Sequence, residues 1–425
     1  MATISGGDGV EVGISPPQPV APGEEADPSF GQALSGVQAA IEAGAVVRTF
    51  NPNSPPVVPT DGTPYVLLID RETLAAAGGT DRIVVPAGVD YLVIEDGVSV
   101  PIEILANPNG EQVTVVGGSS ANIYTSSGSI NVNDSGGDNL VVIRDEEPDG
   151  EAFGTAVTGS EIRLGGGADT VVAGSGNDTV VAGAGDDIVF LGAGNDVTYV
   201  QGNDTVVTGS GNDTVGVDFG NVLVGGSSGA ITFINGSGTS TVVGGSGTTT
   251  IFGGTGGGLY FGGSAGNNVM VAGDGATTLV GGGSGDVLFA AGPIGDLLVA
   301  GPGNTTLSGG SSTGNNTFIA GTGNDLVGGG IGNDTIIAGT GDDTYRGGGG
   351  EDMFAFFKEL SAGGNVLIGD FAPGADKITL QGYADNIDAL VAGQVKSAAG
   401  VTINLSDGTQ ITFAGIDELK RDNFV

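Results

Sequence analysis

Short apolar pairs and triplets recur along most of this chain, each set off by a glycine-rich polar stretch. Residues 165–217 read Gly-Gly-Gly-Ala-Asp-Thr-Val-Val-Ala, then Gly-Ser-Gly-Asn-Asp-Thr-Val-Val-Ala, then Gly-Ala-Gly-Asp-Asp-Ile-Val-Phe-Leu, and continue in that rhythm. Glycine-rich segments make turns, and β-branched triplets fit a pleated, half-buried strand. A fixed nine-residue period predicts a solenoid, in which each unit buries its apolar face only by stacking on its neighbours. The unit at 201–208 is one residue short, which predicts an altered turn rather than a broken stack. Between Tyr65 and Arg144 the period is lost, yet Val66-Leu-Leu-Ile69, Ile83-Val-Val85, Tyr91-Leu-Val-Ile94, Val113-Thr-Val-Val116 and Leu140-Val-Val-Ile143 still read as strands. These predict an irregular β region that continues the solenoid and caps its first coil, with a separate β-sandwich as the alternative. Near the N-terminus Phe30, Leu34, Val37 and Ile41 fall on one face of a helix that Ser29 is placed to cap. That helix either packs on its own body or docks a neighbouring molecule.

An aspartate closes each turn of the first periodic run: Asp169, Asp178, Asp187, Asp196, Asp204 and Asp213. A second run carries Asp325, Asp334, Asp343 and Asp352. Turn chemistry alone would accept Asn or Gly as readily, so a strictly placed carboxylate points to a row of hard oxygen ligands of the kind Ca2+ takes. In residues 220–319 the rhythm persists, but the aspartate position holds Ser240, Thr249, Gly258 and Thr277. Neutral groups lack the carboxylate charge on which calcium affinity depends, so these coils are expected to be calcium-poor. Asp286 and Asp296, within ten-residue units, are candidates for residual sites.

These units resemble the RTX nonapeptide repeat, Gly-Gly-x-Gly-x-Asp-x-U-x with U apolar. The resemblance implies a parallel β-roll with two nonapeptides per coil. It also implies calcium held between turns by an Asp and the Asp two repeats later, with backbone carbonyls completing the shell. Carried onto this chain, the pairs are Asp169 with Asp187, Asp178 with Asp196, Asp187 with Asp204 and Asp196 with Asp213; then Asp325 with Asp343 and Asp334 with Asp352. The stretch Ile368-Gly-Asp-Phe-Ala-Pro-Gly-Ala-Asp-Lys-Ile-Thr-Leu380 and the ending Asp417-Glu-Leu-Lys-Arg-Asp-Asn-Phe-Val425 resemble the cap and uncleaved type I secretion signal that follow such arrays.

Composition narrows the function. The formal charge is −38, which opposes compaction until cations neutralise part of it and argues against a nucleic-acid partner. Cys and His are absent, which excludes disulfides, thiolate chemistry, a Ser-His-Asp triad and a His-based zinc site. No run is apolar enough for a membrane span, and residues 1–20 read as no general export signal. A carboxylate pair for glycoside chemistry among Glu95, Asp96, Glu103 and Glu111 is a minor alternative, since loop acids are usually solvated.

The expected architecture is therefore all-β, a parallel β-roll or β-solenoid of stacked repeats with an irregular β N-terminal region and a β C-terminal cap. Residues 1–62 form a Pro-rich arm (Pro16, Pro17, Pro19 and Pro22 among its prolines) with a short helix near 29–44. The irregular β region spans 63–160, calcium repeats 161–219, neutral coils 220–319, a second calcium block 320–356, and cap plus secretion signal 357–425. The expected function is a non-enzymatic, secreted, calcium-binding structural protein that self-assembles into a surface layer, filament or matrix. Extracellular calcium, binding only the folded state, triggers folding. The alternatives are a secreted adhesin that binds polysaccharide and, less favoured, a polysaccharide-modifying enzyme.

Overall fold

In each repeat the three-residue strand alternates outward, inward, outward, and the inward residue sets the stack. Val171, Val180, Val189, Val206 and Val215 are all fully buried at that position. Burying one such side chain stabilises by about 1.5–3 kcal/mol, and each has partners only in the adjacent coils. The structure, a computed structural model, describes residues 2–5, 11–14, 28–105, 112–118, 120–125, 130–134, 136–143, 159–361, 363–383 and 386–425. It divides into two compact units, Met1–Leu223 and Val224–Val425.

In the first unit the chain climbs through two parallel sheets, leaving one strand on each per coil. One sheet runs through Val46–Thr49, Tyr65–Ile69, Tyr91–Ile94, Val113–Gly117, Ile130–Asn133, Glu161–Arg163, Thr179–Gly185, Val197–Gly202 and Asn212–Val217. The other runs through Ile83–Val85, Ile102–Ile104, Asn122–Thr125, Leu140–Ile143, Thr170–Val172, Ile188–Phe190 and Thr205–Val207. The aperiodic strands from Tyr65 onward thus belong to the same two parallel sheets as the repeats. A β-sandwich, built from antiparallel pairs, is excluded. What varies there is the connection, as where the helix Arg71–Ala76 is inserted, capped by the Thr73 N–H donating to Asp70 Oδ1 at 2.7 Å.

Residues 28–50, expected to be part of an extended arm, are instead built into this unit. The helix Pro28–Glu42 begins one residue before Ser29, so Ser29 lies within its first turn rather than capping it. Proline at the first helical position brings a preset φ and no N–H to satisfy. Phe30 and Val37 pack with Leu34 and Ile41 on Val47, Val66, Leu68, Val93 and Val116 of the sheet, and Ile4 joins the same cluster. The helix therefore covers its own body. Pro16, Pro17, Pro19, Pro22, Glu111 and Arg144 lie outside the described residues.

The second unit has the same two-sheet plan with larger inward residues. Phe233, Ile251, Met270, Leu288, Leu307, Val327 and Tyr345 line one sheet, and Val242, Tyr260, Leu279, Leu298, Phe318, Ile336 and Phe354 the other. The ten-residue units widen a coil from 18 residues to 20, as between Asp296 and Asn316. At the C-terminal end Asn365–Ile368 and Lys377–Gln381 each extend a sheet in parallel, joined through a turn at Pro373 and Gly374. Gly400–Asn404 and Gln410–Ala414 pair antiparallel, and Gln410–Ala414 adds in parallel to Asn365–Ile368. Phe371 joins this cap to the last coil, with ring centroids 6.0 Å from Phe354 and 5.1 Å from Phe413. The Val425 N–H donates to Ile378 O at 3.0 Å, which covers part of the edge strand Lys377–Gln381.

Candidate metal columns in the turns

Each turn delivers its aspartate at the start of a strand, one residue before it in every case but Asp213, which is the second residue of Asn212–Val217, so parallel stacking aligns the aspartates in columns. The turn needs glycine: Gly192 and Gly194 adopt φ of 94° and 145° on the way to Asp196. All ten predicted aspartates are buried, at 0–2 % exposure. The structure brings together each of the six pairs. The Asp169 N–H donates to Asp187 Oδ1 at 2.8 Å, Asp178 N–H to Asp196 Oδ1 at 2.8 Å, Asp187 N–H to Asp204 Oδ1 at 2.9 Å, and Asp196 N–H to Asp213 Oδ1 at 3.2 Å. In the second unit Asp325 N–H donates to Asp343 Oδ1 at 2.8 Å and Asp334 N–H to Asp352 Oδ1 at 2.9 Å. The short unit at 201–208 leaves this ladder intact, since its rungs merely close over 17 residues instead of 18.

One oxygen of each carboxylate is thus committed to the neighbouring coil, and the second decides the chemistry. Oδ2 of Asp169, Asp187, Asp196, Asp204, Asp334 and Asp352 is buried without any hydrogen-bond partner. An orphaned buried carboxylate oxygen is costly, and a bound cation offsets that cost. Burial pushes Asp169 and Asp187 up to about 7, and Asp196, Asp204, Asp334 and Asp352 up to about 6. Among the described residues no group of three or more acidic side chains converges as a metal cage. A cation held here would take one or two carboxylates, with backbone carbonyls to complete its shell. An all-oxygen set of that kind fits calcium.

Within the second unit the column position also runs through neutral coils. Ser240, Thr249 and Thr277 are buried at the aspartate position, as are Asn268, Thr305 and Asn316. Asn268 and Asn316 reproduce the ladder, their Oδ1 atoms accepting from the N–H groups of Thr249 (2.7 Å) and Asp296 (3.0 Å). Asp286 and Asp296 also stand in these columns, and both of their oxygens are hydrogen-bonded.

A second ladder, not expected from the sequence, runs beside the first. The residue before the aspartate is often Asn, and its side chain accepts from the following coil, opposite in direction to the aspartate ladder. Asn195 N–H donates to Asn177 Oδ1 at 2.8 Å, Asn212 N–H to Asn195 Oδ1 at 2.9 Å, and Asp342 N–H to Asn324 Oδ1 at 3.0 Å. The repeated Asn-Asp dipeptide is the signal that carries it. Glu95 and Glu103 sit apart from all this in separate ion pairs, with Arg71 at 3.3 Å and Arg82 at 2.7 Å.

A family model described as the RTX calcium-binding nonapeptide repeat matches residues 164–197, 201–215, 262–292, 294–327, 310–345 and 328–354. No curated protein and no solved structure matches the chain. The matched segments hold all ten aspartates and the turns that align them. Both units therefore carry RTX calcium-binding nonapeptide repeats, and calcium is the ion those repeats take.

Proposed function

We propose that this is a secreted calcium-binding structural protein whose copies assemble outside the cell into a surface layer, filament or matrix, without catalytic activity. One observation carries the reading. In a chain of net charge −38, the only acidic or basic residues between 224 and 319 are Asp274, Asp286 and Asp296, and the last two are buried. Exposed apolar side chains stud the same coils. Ile234, Phe252 and Phe289 lie along one sheet, with the half-buried Val271 between Phe252 and Phe289, and Val243 and Phe261 pair on the other. Ile234 and Phe252 are each 47 % exposed. Two strongly acidic molecules repel wherever their carboxylates face, so an uncharged, apolar belt is where copies meet at least cost. Export by the type I route belongs to the same proposal. Leu419 and Phe424 near the chain's end are buried in the fold, so a signal there is readable only before folding.

Electron microscopy of the purified chain in millimolar calcium and in chelator tests the proposal. Ordered sheets or filaments in calcium support it, and isolated particles at high concentration in both conditions overturn it. A second reading, adhesion to polysaccharide, is favoured by an open depression of about 460 Å³ lined by Thr277, Thr278, Asn315 and Thr317. Saturable glycan binding by unassembled protein would favour it instead.

A further inference from the structure

The ten repeat aspartates share one sequence pattern, but their second carboxylate oxygens meet two different fates. In the turns of Asp187, Asp196, Asp213, Asp325, Asp334 and Asp352 the φ of the glycine four residues before the aspartate goes with that fate, whereas Asp169 and Asp204 keep an open Oδ2 with Gly165 outside the left-handed region and Val200 at that position. Gly183, Gly192, Gly330 and Gly348 adopt φ of 92°, 94°, 125° and 94°. Oδ2 of the aspartates that follow, Asp187, Asp196, Asp334 and Asp352, has no partner. Gly209 and Gly321 lie outside the left-handed region. Their N–H groups close on Oδ2 of Asp213 at 3.2 Å and of Asp325 at 3.0 Å. Gly282 does the same to Asp286 at 2.8 Å, outside the two calcium blocks. A glycine amide cannot both donate to that oxygen and leave it open to a cation. Inverting φ turns the amide away.

Asp343 is closed by other means. Its coil carries Tyr345 at the inward position where the paired coil has Val327. The fully buried phenol donates to Asp343 Oδ2 at 2.6 Å and accepts from the Gly339 N–H at 3.2 Å. A cation on that oxygen would take the acceptor from a hydroxyl with no access to water.

We propose that calcium in the second unit loads only the turns of Asp334 and Asp352, while Asp325 and Asp343, though they match the repeat, are turn-capping residues that hold no ion. The same rule places Asp213 and Asp286 among the caps. This departs from the equal pairing of Asp325 with Asp343 that the resemblance implies, and it stands independently of whether copies assemble.

The test is calcium counted by equilibrium dialysis on the full chain, with far-ultraviolet circular dichroism confirming the fold. Asp334→Asn and Asp352→Asn each lower the number of bound ions, whereas Asp325→Asn leaves it unchanged. Equal loss from Asp325→Asn and Asp334→Asn overturns the proposal. Should Asp325→Asn fail to fold, the calcium-loaded crystal structure of the unaltered chain decides. Ions at the Asp334 and Asp352 turns alone, within this unit, uphold the proposal. An ion on Asp325 or Asp343, or none on Asp334 and Asp352, refutes it.

Discussion

Two oxygens of one carboxylate share the work in each repeat turn: Oδ1 ties coil to coil and Oδ2 is left for a cation or taken by the turn. Without calcium, burial raises the folded-state pKa of Asp169 and Asp187 from the ordinary 3.8 to about 7. A raised carboxylate pKa means that folding takes up protons, so stability from these groups is fullest at acid pH and is lost as pH climbs towards about 7. In chelator the melting temperature should therefore fall between pH 4 and 7. With calcium bound the carboxylates are ionised, so calcium affinity should fall as pH drops through the same window. Melting curves with and without calcium check both signs. Gly185 admits no side chain. A Cβ on Gly185 would run into the Gly167 carbonyl of the neighbouring coil, so Gly185→Ala should cost at least about 1–3 kcal/mol, read from denaturant unfolding. The alignment of the aspartates was legible because residues recurring at a fixed step before stacked strands must fall in one column. The open or closed state of Oδ2 was not: between Asp325 and Asp334 it goes with the φ of a glycine whose letter is the same in both turns, and at Asp343 it is set by a tyrosine on the inward face of the coil.

Strands of three to five residues succeed here only because their central side chain is sealed between coils. Leu298 is fully buried at such a position, so Leu298→Ala should cost about 2–5 kcal/mol. Phe252 is 47 % exposed on the outer face, and Phe252→Ser should change stability by no more than about 0.5 kcal/mol while reducing assembly. Unfolding of the two variants beside light scattering in calcium separates the roles. If Phe252→Ser assembled as well as the parent, the apolar belt would not be the contact. Alternating apolar residues made these strands readable even from Tyr65 to Ile143, where connections of unequal length erase the nine-residue period. The strand Val46–Thr49 was hidden for a related reason, since Pro52, Pro55 and Pro56 after it make the whole segment look extended and unpaired. The helix was visible through its apolar face. Its role as a cover was not, because only packing shows what that face meets.

For the molecule as a whole, a charge of −38 and a column of orphaned carboxylate oxygens set the same condition. The folded state concentrates negative charge that the unfolded chain disperses, and calcium bound only to the fold would reverse that balance. A site held at a hundred times its dissociation constant contributes about 2.7 kcal/mol, so a few sites exceed half the stability of an ordinary domain. The coils from 224 to 319 carry few carboxylates and bury a core of Phe, Leu and Ile side chains. Far-ultraviolet circular dichroism during a calcium titration from chelator tests this coupling most directly. The predicted result is a cooperative gain of β signal, with the melting temperature rising as calcium is added. A full β spectrum in chelator, melting at the same temperature with and without calcium, would contradict it.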